Sequence, residues 1–324
     1  MDDRRTTAVR QSRQGWSWID LTVDRWDSPE VRRLYSDHPC VKEWLDMLPE
    51  AETNYLSVRF PDGREPILFG SLLYSAREEI KNGAGDCVLM HFFVGKEILV
   101  TINLDDDTFK VLEQPEHKEM LLSYPRPIDG MFVIMRAILH YFHTGMDRFE
   151  RKLRRVEEIM KKRNRKNLMD QILNARFELL YWSNLFIPFL ELVTAAREAY
   201  LEGMDESVPF KRFLHRAERM SGLFDHYEKE IDTLISIDDA VSAFRGNDIM
   251  KTLTILTAVF TPATVIGAVW GMNFDFLPWV NEGFVGFLFI TALILFVTAG
   301  FYFWIKAKGW TGDLLEVDEE DSNL

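Results

Sequence analysis

Two stretches without a single charged residue constrain this chain most: Thr252 to Phe274, and Gly283 to Ile305. Each is about 23 residues long, and a helix rising about 1.5 Å per residue carries either one across a hydrocarbon layer of about 30 Å. Two such lengths in tandem exceed ordinary core helices, which disfavours a buried hairpin inside a soluble domain. The flanks set the orientation. Arg245 and Lys251 precede the first run, Lys306 and Lys308 follow the second, and the connecting loop carries only Asp275 and Glu282. An excess of Lys and Arg on the cytoplasmic side puts both termini inside and the short acidic loop outside. The expected location is the inner (plasma) membrane, crossed twice.

The rest of the chain is too polar to follow those runs into lipid. A net charge of -13 over 324 residues argues against nucleic acid as a partner, because binding phosphates needs a basic footprint. A cation suits it better. Cys40 and Cys87 lie far apart with no CxxC spacing, so neither a disulfide framework nor a thiolate zinc site is indicated. The N-terminal stretch MDDRRTTAVRQSRQG lacks the apolar core of a signal peptide. A cytoplasmic first domain is the expectation.

Residues 15 to 23, 54 to 60 and 67 to 75 are short and rich in aromatic and β-branched side chains, and 87 to 104 reads as a hairpin turning at Gly95-Lys96. SPEVRRLYSD and CVKEWLDML between them read as helices. Together they predict an α/β N-terminal cytoplasmic domain over 1–126, closed by Pro125 and Pro127. Residues 127–209 form an antiparallel helical pair, with runs at 128 to 161 and 167 to 201 and a basic tip, KKRNRK, between them. A third run begins at Phe210 and meets no proline before Pro262. It gives a long stalk helix over 210–251, which Gly246 could bend, and continues into a first transmembrane helix over 252–273. An outer loop (274–283), a second transmembrane helix (284–305) and an acidic cytoplasmic tail (306–324) complete the organisation.

Two membrane helices cannot enclose a polar path, so conduction requires several copies around an axis. The first span has a seam suited to that: Thr254, Thr257, Thr261, Thr264, Ala268 and Gly271 recur at alternating steps of three and four, the spacing of one helix face. Asn247 and Met250 extend it downward, Leu253 adds apolar bulk at its lower end, and Val259 and Val265 lie off it. Small residues and threonines also favour plain helix packing in lipid, so a packing seam stays open as an alternative. The second span is aromatic and apolar all round, as an outer helix facing lipid should be.

The first span ends on Gly271-Met272-Asn273, followed by Phe274, Asp275 and Pro278. In this setting the chain resembles the CorA superfamily of divalent-metal transporters, whose first membrane helix ends in Gly-Met-Asn. GNDIMKTLTILTAVFTPATVIGAVWGMNF is similar to the family's junction between stalk and membrane, and WIDL and FFVGKEILVTIN to its cytoplasmic domain. The resemblance covers essentially the whole chain. It implies a funnel-shaped homopentamer whose first membrane helices line the pore, whose second form an outer ring, and whose Gly271, Met272 and Asn273 form the entrance filter. Asn273 is the residue it assigns to the metal: a ring of amide oxygens can hold a hydrated Mg²⁺ by its waters without stripping them. Gly271 would permit the turn and close backbone approach, and Met272 would pack the loop, since thioether sulfur prefers soft metals. Asp275 and Glu282 would attract cations to the entrance.

Some positions depart from the family. Trp279 stands where an acid often follows the loop proline, Thr257 and Thr261 make the middle of the seam polar, and the chain ends acidic rather than basic. Lys211-Arg212 at the start of the stalk gives no basis for a regulatory metal site. His140 and His143 are spaced to share a zinc ion but lack a visible third ligand, so packing and surface roles are favoured. The stalk's acids, Asp225 to Asp248, form a solvated face or concentrate cations near an axis. No catalytic motif is present. The reading is a non-enzymatic transporter that needs no cofactor, with a divalent cation as cargo, the lipid bilayer as surroundings and copies of itself as partners. Mg²⁺ uptake comes first, with Co²⁺ or Ni²⁺ as further cargo. Zn²⁺ transport on the same fold, with or without proton coupling, is the alternative, and a non-conducting membrane-anchored scaffold or sensor is the second.

Overall fold

In the computed structural model the described residues are 7–61, 65–77, 87–161, 167–201, 203–272, 278–279 and 283–310. The chain divides into two compact units, Met1–Ile235 and Ser236–Leu324.

The first unit is built on six strands: β1 (Thr7–Gln11), β2 (Ser17–Leu21), β3 (Tyr55–Arg59), β4 (Ile67–Ser75), β5 (Cys87–Val94) and β6 (Ile98–Ile102). Their order is β1-β2-β6-β5-β4-β3, and among the described residues β2 with β6 is the one parallel pair. Both faces are covered, which is why the inner strands read as continuous apolar runs. Trp18, Leu68, Leu72, Met90, Phe92 and Leu99 join the larger core on one face. Their alternate neighbours Ile19, Phe69, Phe93, Ile98 and Val100 join a smaller core on the other. That smaller core is closed by α1 (Pro29–Asp37) and α2 (Lys42–Met47) through Val31, Leu34, Trp44 and Leu45. The hairpin between β5 and β6 turns where the sequence marks it, with the Gly95 amide donating to the Ile98 carbonyl at 2.9 Å.

One strand lies outside the sequence expectation. β1 carries a single buried side chain, Ala8, while Val9 faces out, so no apolar alternation advertises it. It is held instead by its ladder with β2 and by a bidentate pair from the Arg10 guanidinium to Glu113, at 2.8 and 2.9 Å.

The larger core is completed by α3 (Asp106–Glu113), α4 (Pro115–Ser123), α5 (Pro127–Lys161), α6 (Leu168–Ala199) and the first part of α7 (Val208–Trp270). α5 starts on proline, whose missing amide costs nothing in a first turn. Its buried stripe runs from Ile128 through Phe132, Ile138, Phe142 and Phe149 to Met160. Gly145 interrupts that stripe because a Cβ there would stand 2.6 Å from the Trp182 indole of α6. The start of α7 is fixed to the start of α5: Ser207 Oγ accepts from the Phe210 amide and donates to Asp129 at 2.6 Å. Asp129 also receives the Arg126 guanidinium at 3.0 and 3.1 Å. α7 therefore begins two residues before Phe210, and it runs past Gly246 as one helix of 63 residues.

Among the described residues three helices are long and apolar enough to cross a membrane by length and composition: α6, α7 and α8 (Phe284–Ala307). Charge-free length in the sequence marks only the last two. The apolar window of α6 is 56% buried, and those of α7 and α8 are 0% and 6% buried, so much of the α6 window's hydrophobicity belongs to the larger core of the first unit.

Candidate ion pathway

The second unit contains the seam and the loop that follows it. In α7, the partly covered positions from Ile255 to Trp270 are Ile255, Ala258, Val259, Pro262, Ala263, Ile266 and Trp270, and all the others are exposed. At about 100° per residue these fall on one stripe. Thr254, Thr257, Thr261, Thr264 and Ala268 centre roughly 150° away by the same geometry, on the opposite face. Asn247, Met250 and Leu253 continue that face toward the N-terminus and are likewise exposed. Val265 is also exposed, at 55%, so it differs from Val259.

The seam threonines share one side-chain arrangement. Thr254 donates its hydroxyl to the Met250 carbonyl at 2.8 Å, Thr257 to Leu253 at 2.8 Å, Thr261 to Thr257 at 2.6 Å and Thr264 to Phe260 at 3.1 Å. A hydroxyl has one proton, and here the helix's own backbone takes it. What remains outward is oxygen lone pairs and a methyl group. The surface therefore accepts hydrogen bonds without offering any, which suits water molecules that point their oxygens at a cation.

The helix ends at the glycine. Gly271 donates to the Gly267 carbonyl at 2.9 Å and Met272 to Val269 at 3.3 Å, a tightening last turn. Gly271 keeps that turn uncrowded: a Cβ would lie 3.0 Å from the Gly267 oxygen, tighter than ordinary contact, while its φ is not in the left-handed region. Met272 is half exposed. Asn273, Asp275 and Glu282 lie outside the described residues, as do the tip residues 162 to 166 and the tail from 311.

Two tryptophans frame the loop. Trp270 Nε1, at the end of α7, donates to the Pro278 carbonyl at 3.1 Å. Trp279 has φ 64°, and its ring centroid lies 4.6 Å from that of Phe289 in α8. The position after the loop proline, where the sequence has Trp279 in place of an acid, thus makes a ring contact with α8 while staying 46% exposed. The sequence carried the signal as a tryptophan on either side of the Gly-Met-Asn loop, nine residues apart. Among the described residues no three His, Cys, Asp or Glu side chains gather as a metal site, and His140 and His143 acquire no third partner of that kind.

Residues 14–307 match the sequence model of the family described as CorA-like Mg²⁺ transporter protein. The magnesium transport protein CorA of Bacillus subtilis is 29% identical over 307 residues, covering 93% of each chain. Among solved structures, the CorA magnesium transporter of Methanocaldococcus jannaschii superposes with a TM-score of 0.66 at 18% identity, covering 91% of this chain and 92% of that one. The cytoplasmic domain of ZntB from Vibrio parahaemolyticus does so with a TM-score of 0.54 at 12% identity, covering 74% and 89%.

Proposed function

The chain belongs to the CorA-like Mg²⁺ transporter family, and from that premise we propose that it admits Mg²⁺ to the cytoplasm through a pore formed on the axis of a homopentamer. As a member it is a membrane transporter of divalent cations rather than an enzyme. In the proposed arrangement the membrane part of α7 lines the path, α8 surrounds it, both termini are cytoplasmic, and Gly271, Met272 and Asn273 meet the ion at the outer entrance. Asp275 and Glu282 raise the cation concentration there by a field that salt screens within about 10 Å at 0.1 M.

The observation that carries this reading is the acceptor-only seam, set opposite the covered stripe of its own helix. Mg²⁺ dehydrates reluctantly and travels with its waters, whose protons need acceptors. Hydroxyl oxygens are hard donors, whereas Zn²⁺ favours imidazole and thiolate. Met250 and Met272 supply only thioether sulfur at the two ends. The membrane potential suffices as a drive, at about 2.3 kcal/mol per charge per 100 mV, hence roughly 4.6 for a divalent ion. The soluble fold is shared with both a magnesium transporter and a ZntB domain, so it does not choose between ions. Uptake into proteoliposomes does. Mg²⁺ influx that follows an imposed potential and is unchanged by a pH gradient is expected, and influx of Zn²⁺ alone, tied to protons, would replace the magnesium reading.

A further inference from the structure

The first unit carries a basic pocket that plays no part in the path above. Arg212, Arg216 and Arg219 lie at positions i, i+4 and i+7 of α7, and Arg136 and His143 lie at i and i+7 of α5. Together they line one open cavity of about 560 Å³. In a chain of net charge -13 four guanidiniums would be expected to collect carboxylates. Among the described residues none of the four is in an ion pair. Arg216 instead spends one Nη1 proton on the Arg136 carbonyl, at 3.0 Å. Its Nε is buried without a partner, and so is Nε2 of His143. Burial and the neighbouring Arg136 and Arg219 lower the Arg216 pKa from its usual value. Arg212 and Arg219 are exposed and solvent-screened, but the two buried unmet polar atoms carry a desolvation cost that a bound anion would offset.

A second cavity of about 300 Å³ adjoins it, sharing Arg136 and Arg216. Its remaining wall is mostly apolar and aromatic, with Met120, Val133, Ala137 and Tyr141, and has Thr108, His117 and His140 as polar members. A compartment of arginines joined to a compartment that would accept a flat ring matches a molecule with a charged end and an aromatic end. Guanidinium forks suit phosphate oxygens in particular, through paired N–H donors. We propose that this pocket binds a nucleoside polyphosphate, its phosphates among Arg136, Arg212, Arg216 and Arg219 and its base in the adjoining cavity.

The test uses the full chain in detergent and radiolabelled ATP in equilibrium dialysis. EDTA is present so that no metal held elsewhere captures the nucleotide. Expected are saturable binding that weakens steeply with salt, and an affinity for ATP at least tenfold above that for inorganic triphosphate. In the double variant Arg212→Gln/Arg219→Gln, whose two side chains are exposed and whose loss leaves the core intact, binding should fall by at least about tenfold, the scale of one lost charge-assisted hydrogen bond. Arg33→Gln, on α1 against the other core, should bind as the parent does. Equal binding by the double variant, or triphosphate as tight as ATP, would overturn the proposal. So would absent binding, and a double variant that then also lost its oligomeric state would assign these arginines to carboxylates of a second copy.

Discussion

The seam threonines show how little of a side chain's chemistry its identity alone reveals. Read as letters, Thr254, Thr257, Thr261 and Thr264 offer donors and acceptors alike. With each proton given to a carbonyl four residues back, they offer acceptors only. Cysteine at Thr257, Thr261 or Thr264 should therefore react with small hydrophilic thiol reagents in membranes, in a background lacking Cys40 and Cys87. Cysteine at Val259 or Ile266, on the covered stripe, should be protected, and equal labelling of the two sets would remove the pathway from this face. The spacing of the seam was legible in the sequence because a helix repeats every 3.6 residues whatever surrounds it. The choice of protected controls was not: Val265 and Val259 are alike in composition, and only the fold separates the exposed one from the covered one.

At the scale of elements, the sequence disclosed what repeats and concealed what is unique. β4, β5 and β6 are apolar on both faces and stand out, whereas β1 has one buried residue and is held by Arg10 and Glu113, a pairing more than a hundred residues apart. α6 is apolar enough to span a membrane, yet its window is more than half buried in the soluble core, and hydropathy does not distinguish the two solvents. The ladder between β4 and β5 carries a pH dependence of its own. His91 is 3% exposed, with Nδ1 2.6 Å from Ser71 Oγ and the Trp26 ring edge-on to it, and burial pushes its pKa down to about 4. Above about pH 6.5 the imidazole is neutral folded or unfolded. Between 6.5 and 4 only the unfolded chain takes the proton, so stability falls by up to about 3 kcal/mol as pH drops through that window. His143, also depressed to about 4 by burial and then by Arg216 and Arg219, adds to the slope. Thermal unfolding of His91→Gln between pH 7 and 4 should show a shallower loss than the parent, and a parallel loss would assign the slope elsewhere.

On the scale of the whole molecule, the proposed pathway takes one lining helix from each chain, so transport by this route requires assembly around an axis. Mass measurement of the mildly solubilised complex should give five copies; a monomer or dimer would leave no central path. The proposed entrance residue, Asn273, is marked by its place in the sequence, directly after Gly271-Met272. On either side of it in sequence, Trp270 bonds the Pro278 carbonyl and Trp279 meets Phe289 of α8. In an oligomer one substitution removes an entire ring of amides, so the effect should far exceed the roughly 1 kcal/mol of a single hydrogen bond. The decisive measurement is Mg²⁺ uptake by proteoliposomes holding Asn273→Ala, with pentamer integrity checked on the same sample. Uptake reduced to near background in an intact pentamer is the predicted result, and uptake at the parental rate would make Gly271, Met272 and Asn273 a packing turn rather than a filter.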